Sequence, residues 1–198
     1  MTLIPTSELE AVNLMLATIG ESPVSTLAQS GQVDAVIAHQ TLSETSIDVQ
    51  SRGWRFNTDK AYPLKREAAA PWRIPVPANA ARVEIVGGDA ALDLTLRGGK
   101  LWDRRAHTFS FPDRAEVRAD IVWLLPFDEL PQAARRFIAV KAARIFQDRV
   151  VGSSTINRFT RRDEETAEAG LRKFEAKTAK RTLLNANWSV ARVLNRRV

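Results

Sequence analysis

The stretch DVQSRGWRFNTDKAYPL, residues 48–64, marks the point where the chain changes from helical to extended character. Residues 33–51 carry an uneven apolar stripe, which predicts a rather polar helix over that range. Gly53 follows at the position where a residue of left-handed conformation commonly ends a helix. Tyr62-Pro63-Leu64 then begins a strand-like segment. The glycine therefore predicts a boundary between a helical module and a β-rich module.

Two aromatic residues, Trp54 and Phe56, come directly after this boundary. Residues two apart in an extended chain lie on the same side, so we predict that both rings wedge the first strand against the helices. Arg52 has two open roles, since it pairs either with a nearby carboxylate or with one across a subunit boundary. Arg52, Gly53, Trp54 and Phe56 are thus interpreted as a structural junction and not as an active site.

Three further helices are indicated by capping residues and apolar spacing. Ser7 and Glu10 have the spacing of a capping box and start the first helix, which ends before Gly20. Asp128 is interpreted as the N-cap of the third helix. Apolar spacing predicts a long fourth helix over about 156–184.

The middle of the chain, residues 54–125, consists of short β-forming runs separated by turn residues. Gly87-Gly88 and Gly98-Gly99 lie between such runs, and both pairs are interpreted as hairpin turns. Helices precede and follow this region. The predicted fold is therefore α+β: a four-helix bundle with an inserted small antiparallel β module and an extended C-terminal tail. The predicted domains are the bundle at 1–53 and 127–186, the β module at 54–126 and the basic tail at 187–198.

Length and composition bound the class of protein. The chain has 198 residues, of which 44% are apolar, so it can bury a core as one domain or one domain with an appendage. It contains no cysteine, which excludes disulfides, thiolate chemistry and cysteine-ligated metals. Neither a signal peptide nor an apolar run of about 18 residues is visible, so we expect no membrane span.

The net charge of +6 arises from the C-terminal end of the chain. Residues 167–198 hold eight basic and two acidic side chains, so the preceding residues are balanced. Two interpretations stay open: this end binds nucleic acid or an acidic protein surface, or it is a solvated helix face with a frayed tail. Trp188 in the tail fits equally an anchor on a partner and a side chain packed on its own bundle.

Residues able to carry chemistry are sparse. His39 and His107 are the only histidines, and neither has a second ligand at metal spacing, so both are expected at the surface. The Gly-Gly pairs do not lead into helices, as a phosphate-binding loop requires. Clustered acidic residues lie at predicted helix starts, where the helix dipole accounts for them. We therefore expect no enzyme, no metal and no cofactor, and no DNA-reading motif is present.

Several stretches in order resemble one known family. They are SELEAVNLMLATIGESPVSTL, QSRGWRFN, RGGKLWDRRAHTFSF and FDELPQAARRFIAVKAARIFQDRVVGS, within residues 7–185. In this order they resemble tail tubular protein A, the head-to-tail adaptor or gatekeeper of short-tailed bacteriophages. The proline-rich loop and the residues after Asn185 match poorly.

The resemblance implies a structural virion protein without a cofactor, assembled in the host cytoplasm. It implies a ring of twelve copies beneath the portal protein, joined to the tail nozzle made of tail tubular protein B. It further implies a ring that lines part of the DNA channel, contacts passing genomic DNA non-specifically and helps seat the tail fibre protein. For the tail of this chain we expect portal binding through Trp188, Arg192, Arg196 and Arg197.

Two rival functions stay open at this point. One is a DNA-binding accessory protein that uses the basic C-terminal end, in which case binding to duplex DNA would fall steeply with salt. The other is a tail-associated hydrolase, although no residue pattern favours such a site.

Overall fold

The computed structural model describes residues 6–27, 32–152 and 154–186. The chain divides into two compact units: Met1–Val49 with Pro126–Val198, and Gln50–Leu125. We call them the helical unit and the β unit. In the described residues, four α-helices and two small antiparallel sheets confirm the α+β class. The expected portal-binding residues Trp188, Arg192, Arg196 and Arg197 lie outside the described residues.

Capping residues set the ends of the first helix, as predicted. The helices are α1 (Glu8–Thr18), α2 (Val33–Ser51), α3 (Gln132–Val150) and α4 (Ser154–Ala186). At the start of α1, the Glu10 N–H donates to Ser7 Oγ at 3.2 Å and the Ser7 N–H donates to Glu10 Oε2 at 2.9 Å. At its end Gly20 has φ +83°, and the Glu21 N–H donates to the Leu16 carbonyl at 3.1 Å. The chain reverses there because glycine adopts this φ without strain.

The start of α3 differs from the prediction. Asp128 does not cap it, because Phe127–Glu129 forms a separate 3₁₀ turn and Pro131 occupies the N-cap. Leu130 is extended, with ψ 149°, since a residue that precedes proline is excluded from the helical region. The Arg135 guanidinium donates to the Leu130 carbonyl at 2.7 Å and so holds the turn in place.

The core of the helical unit is built around α3. Phe137, Ile138 and Phe146 of this helix are at most 1% exposed. The helix α3 contacts both α1 and α4, and its Lys141 and Arg149 pair with acids of α2. Arg144 joins α3 to α4 through Glu164 and also pairs with Asp148 at 3.0 Å. Hydrogen bonding to Glu164 raises the pKa of Arg144.

The β unit contains a three-stranded and a two-stranded sheet. Its strands are β1 (Thr58–Lys65), β2 (Ala80–Ile85), β3 (Leu94–Arg97), β4 (Lys100–Asp103) and β5 (Glu116–Trp123). The larger sheet has the order β1-β5-β2 and is antiparallel. Alternate residues of β5, Val117, Ala119 and Ile121, are fully buried, which explains why this strand takes the centre.

Of the two predicted glycine hairpin turns, one is confirmed and the prediction of the other is wrong. Gly98-Gly99 joins β3 to β4 with φ +57° and +70°, the geometry of a type I′ hairpin turn. Gly87-Gly88 instead opens a 3₁₀ turn over Gly87–Ala91, because β2 pairs with β5 and not with β3. The Asp89 carboxylate in this turn accepts from the Arg118 N–H at 3.1 Å and fixes the turn to β5.

A proline-rich segment completes the β core. Ile74 and Val76 within it are buried and pack with Leu101 and Phe111. The Leu101 N–H donates to the Ile74 carbonyl at 3.0 Å, and the Val76 N–H donates to the Gly99 carbonyl at 2.9 Å. The β3–β4 hairpin is thereby joined by backbone hydrogen bonds to a segment that itself carries few donors.

Removing one core side chain tests whether this cluster holds the β unit together. We expect Ile121→Ala to lower the free energy of unfolding by about 2–5 kcal/mol, because it leaves a cavity at a fully buried position. Leu96→Ala is the matched control, since Leu96 is 47% exposed, and should change it by less than about 0.5 kcal/mol. Urea unfolding measures both. Equal stability of the two variants would contradict the described core.

Candidate functional site: the junction at residues 50–57 and two outer helix faces

Gly53 ends α2 as the sequence predicts. Its φ is +79°, and its N–H donates to the Gln50 carbonyl at 3.0 Å. A Cβ at this position would lie 3.1 Å from Val122 Cγ2 and 2.7 Å from a guanidinium nitrogen of Arg82. Both the backbone conformation and the close approach of β5 therefore favour glycine here.

The predicted alternation of Trp54 and Phe56 is wrong. Residues Arg55–Asn57 form a 3₁₀ turn, so β1 begins only at Thr58 and a period of two does not apply. The Trp54 N–H donates to Asn57 Oδ1 at 2.9 Å and closes this turn. Both aromatic rings are half-buried. Their proposed wedge against the helices, like the partner of exposed Arg52, stays a prediction.

Two buried amides at the junction were not anticipated from the sequence. Gln50 and Asn57 are 2% and 1% exposed. The Gln50 side chain donates to the Leu125 carbonyl at 3.0 Å and accepts from the Leu125 N–H at 2.8 Å. Asn57 Nδ2 donates to the carbonyls of Gln50 at 3.0 Å and Trp123 at 2.7 Å. We call these four bonds the amide clasp; it joins the segment that enters the β unit to the segment that leaves it.

A substitution of Gln50 tests the clasp. We expect Gln50→Leu to cost about 2–4 kcal/mol of unfolding free energy, because it removes the partners of the part-buried N–H and C=O of Leu125. Gln40→Leu on the same helix is the control, since Gln40 is exposed and bonds only Glu44 among the described contacts. Urea unfolding followed by circular dichroism measures both changes. If Gln50→Leu is as stable as Gln40→Leu, the clasp does not contribute as described.

The first outer face runs along α2. Val33, Val36, Ile37 and Ile47 are 70%, 57%, 39% and 52% exposed. They share one side of the helix with three exposed polar residues, Gln40, Glu44 and Asp48. We call these seven residues the α2 stripe. Four large aliphatic side chains on one exposed helix face are typical of a protein–protein contact.

The second outer face runs along α4. It consists of Arg162, Thr166, Ala169, Gly170, Lys173 and Lys177, all exposed and at helical spacing. We call it the α4 face. Within the described part of the chain, the structure gives its three cations no carboxylate partner. The opposite side of the helix buries Ala167 and Leu171, so the α4 face points away from the core.

The histidines and acids offer no catalytic arrangement in the described ranges. His39 Nε2 lies 3.1 Å from Glu8 Oε1 on a half-exposed surface, and His107 is exposed in a turn. No metal-binding group of His, Asp and Glu occurs among the described residues. Hydrogen bonding to Lys60 lowers the pKa of Asp120, whose carboxylate also accepts from the Ala61 N–H at 2.9 Å. That carboxylate stabilises the bulge in β1 and so has a structural role.

Membrane insertion finds no support in the helices either. None of them, over the residues that the structure describes, is long and apolar enough to cross a bilayer.

Two comparisons with known proteins agree with each other. A family model described as Tail tubular protein matches residues 9–181, which cover the β unit and most of the helical unit. A protein named Tail tubular protein A, from Klebsiella phage KP34, is 29% identical over 168 residues. That match covers 83% of this chain and 85% of the phage protein.

Proposed function

The chain belongs to the tail tubular protein family, and we propose that it is a head-to-tail adaptor that assembles into a closed ring of twelve copies. Membership makes the chain a structural protein of the phage tail, located in the virion, and not an enzyme. In our proposal the ring joins the portal protein to the tail nozzle made of tail tubular protein B. It also surrounds the path of the DNA and helps to seat the tail fibres.

The observation that carries the ring proposal is the pair of outer faces on the helical unit. A subunit in a closed ring contacts one neighbour on each side, and the two contacts use different surfaces of the same chain. The α2 stripe is aliphatic with acids, whereas the α4 face is small and basic. A unit with a buried core and two unlike exposed faces suits this kind of packing.

The β unit supports a second contact in the same proposal. It has a core of its own, and Leu96 in its hairpin is 47% exposed. The guanidinium carbon of the adjacent Arg97 lies 4.7 Å from the centroid of the Trp102 ring. A compact unit with its own core can contact another tail component while the helical unit packs in the ring. In our proposal the β unit contacts the nozzle or the fibre, and the C-terminal tail contacts the portal.

Assembly on the portal tests the ring. We expect the purified chain to stay monomeric alone and to load in twelve copies onto each portal ring, because the portal supplies the template that aligns neighbours. Mass photometry of the protein with and without purified portal measures the stoichiometry. Binding of a single copy, or of none, would contradict the adaptor function.

The C-terminal tail is tested separately. We expect Arg192→Gln, Arg196→Gln and Arg197→Gln together to weaken portal binding at least about tenfold, as loss of a basic anchor does. Trp188→Ala should act in the same direction. The control replaces three exposed arginines of the β unit, Arg97, Arg104 and Arg105, by glutamine. Equal affinity of the tail variant and this control, measured by biolayer interferometry, would remove the tail from the portal contact.

A further inference from the structure

We propose that the α2 stripe of one copy packs against the α4 face of the next copy. This inference rests on the proposed ring and names the surfaces that hold it together. Each copy then contributes its α2 stripe to one neighbour and its α4 face to the other.

The α2 side supplies the apolar part of the contact. Val33 and Ile47 lie 14 residues apart, which is about 21 Å along a helix, so the stripe is as long as an ordinary helix–helix contact. Four aliphatic side chains along it are between 39% and 70% exposed. Burying them provides the main favourable free energy of association.

The α4 side supplies a flat surface that allows close approach. Thr166, Ala169 and Gly170 form its centre. Apart from the chain neighbours of Gly170 and the backbone of α4 around it, no atom lies within 4 Å of the place where a Cβ on Gly170 would stand. Aliphatic side chains that project from one helix fit into such a shallow groove, and the helix axes then approach to about 8–10 Å. The shapes of the two faces are therefore complementary.

Charge determines that the α2 stripe pairs with the α4 face and in which direction the two helices meet. The helix α2 contains no lysine or arginine. Glu44 and Asp48 remain 51% and 61% exposed although they pair with Arg149 and Lys141 of α3. Because a carboxylate has room for more than one donor, each can also accept from a cation of the neighbour. Arg149 is itself 56% exposed and offsets part of the acidic charge, so electrostatics orients the contact and apolar burial stabilises it.

A second copy fits this pair of faces better than DNA does. Phosphates would neutralise Arg162, Lys173 and Lys177, but they would leave the aliphatic α2 stripe uncovered. Another copy covers both faces at once. Since both belong to one helical unit, the contact repeats head to tail and can close into a ring.

Cysteine cross-linking tests the contact, because the natural chain has no cysteine. The full-length double variant Ile37→Cys/Ala169→Cys is loaded on purified portal and treated with a short bismaleimide. We expect a ladder of cross-linked species larger than a dimer on a denaturing gel. Each single variant should give no species beyond a dimer. The control Leu96→Cys/Ala169→Cys, which pairs the α4 face with an exposed position of the β unit, should give no ladder.

A second variant tests the energy of the contact. Val36→Asp/Ile37→Asp should lower the number of copies retained on the portal at least about tenfold at limiting concentration, because it places charge in an apolar contact. Leu96→Asp is the matched control and should retain the wild-type number.

The outcomes separate this inference from the proposed function. If twelve wild-type copies load on the portal but the double cysteine variant gives no ladder, the inference is wrong and the adaptor function stands. If the wild type does not form a ring on the portal, the adaptor function itself fails. If Lys173→Gln/Lys177→Gln abolishes salt-dependent binding to duplex DNA and leaves ring formation intact, the α4 face binds DNA and the inference is overturned.

Discussion

The amide clasp of Gln50 and Asn57 joins the place where the chain enters the β unit to the place where it leaves. Its bonds give partners to the part-buried N–H and C=O of Leu125 and to the carbonyl of Trp123, and they add a second donor to the Gln50 carbonyl, which also accepts from the Gly53 N–H. Such groups are costly when unpaired, so the rest of the β unit depends on the clasp. With both ends held, β1 and β5 lie side by side in register, and β5 can occupy the centre of the sheet. Gly53, which ends α2, lies close to β5, since a Cβ on this glycine would stand 3.1 Å from Val122 Cγ2.

Because the amide clasp closes the β unit, the helical unit is available as the unit of assembly. The core around α3 and the Arg144–Glu164 ion pair fix α4 to that unit. The side chains on the outer surface of the helical unit are then not required for its stability. This explains how α2 can expose four aliphatic residues. In a structural protein of the phage tail, a surface of this kind is available for assembly.

Local signals in the sequence predict local structure well here. The capping box at Ser7, the left-handed Gly53 and the Gly98-Gly99 turn each depend on neighbouring residues, and each is confirmed. Asp128 was misassigned because the restriction imposed by Pro131 on Leu130 outweighs a good capping side chain.

Features set by residues far apart in the chain were missed. Gly87-Gly88 resembles a hairpin turn, but β2 pairs with a strand more than thirty residues later. Gln50 and Asn57 look like ordinary polar residues, since only their distant partners at 123 and 125 bury them. The outer faces were equally hidden, because an aliphatic stripe on a helix normally indicates a core.

Amide hydrogen exchange of Leu125 in the full-length protein tests whether the amide clasp closes the β unit. We expect the Leu125 N–H, which donates to Gln50, to exchange as slowly as the amides of Val117 and Ile121 at the centre of the sheet. Exchange of Leu125 as fast as that of His107, which is exposed in a turn, would show that the clasp opens independently and does not close the β unit.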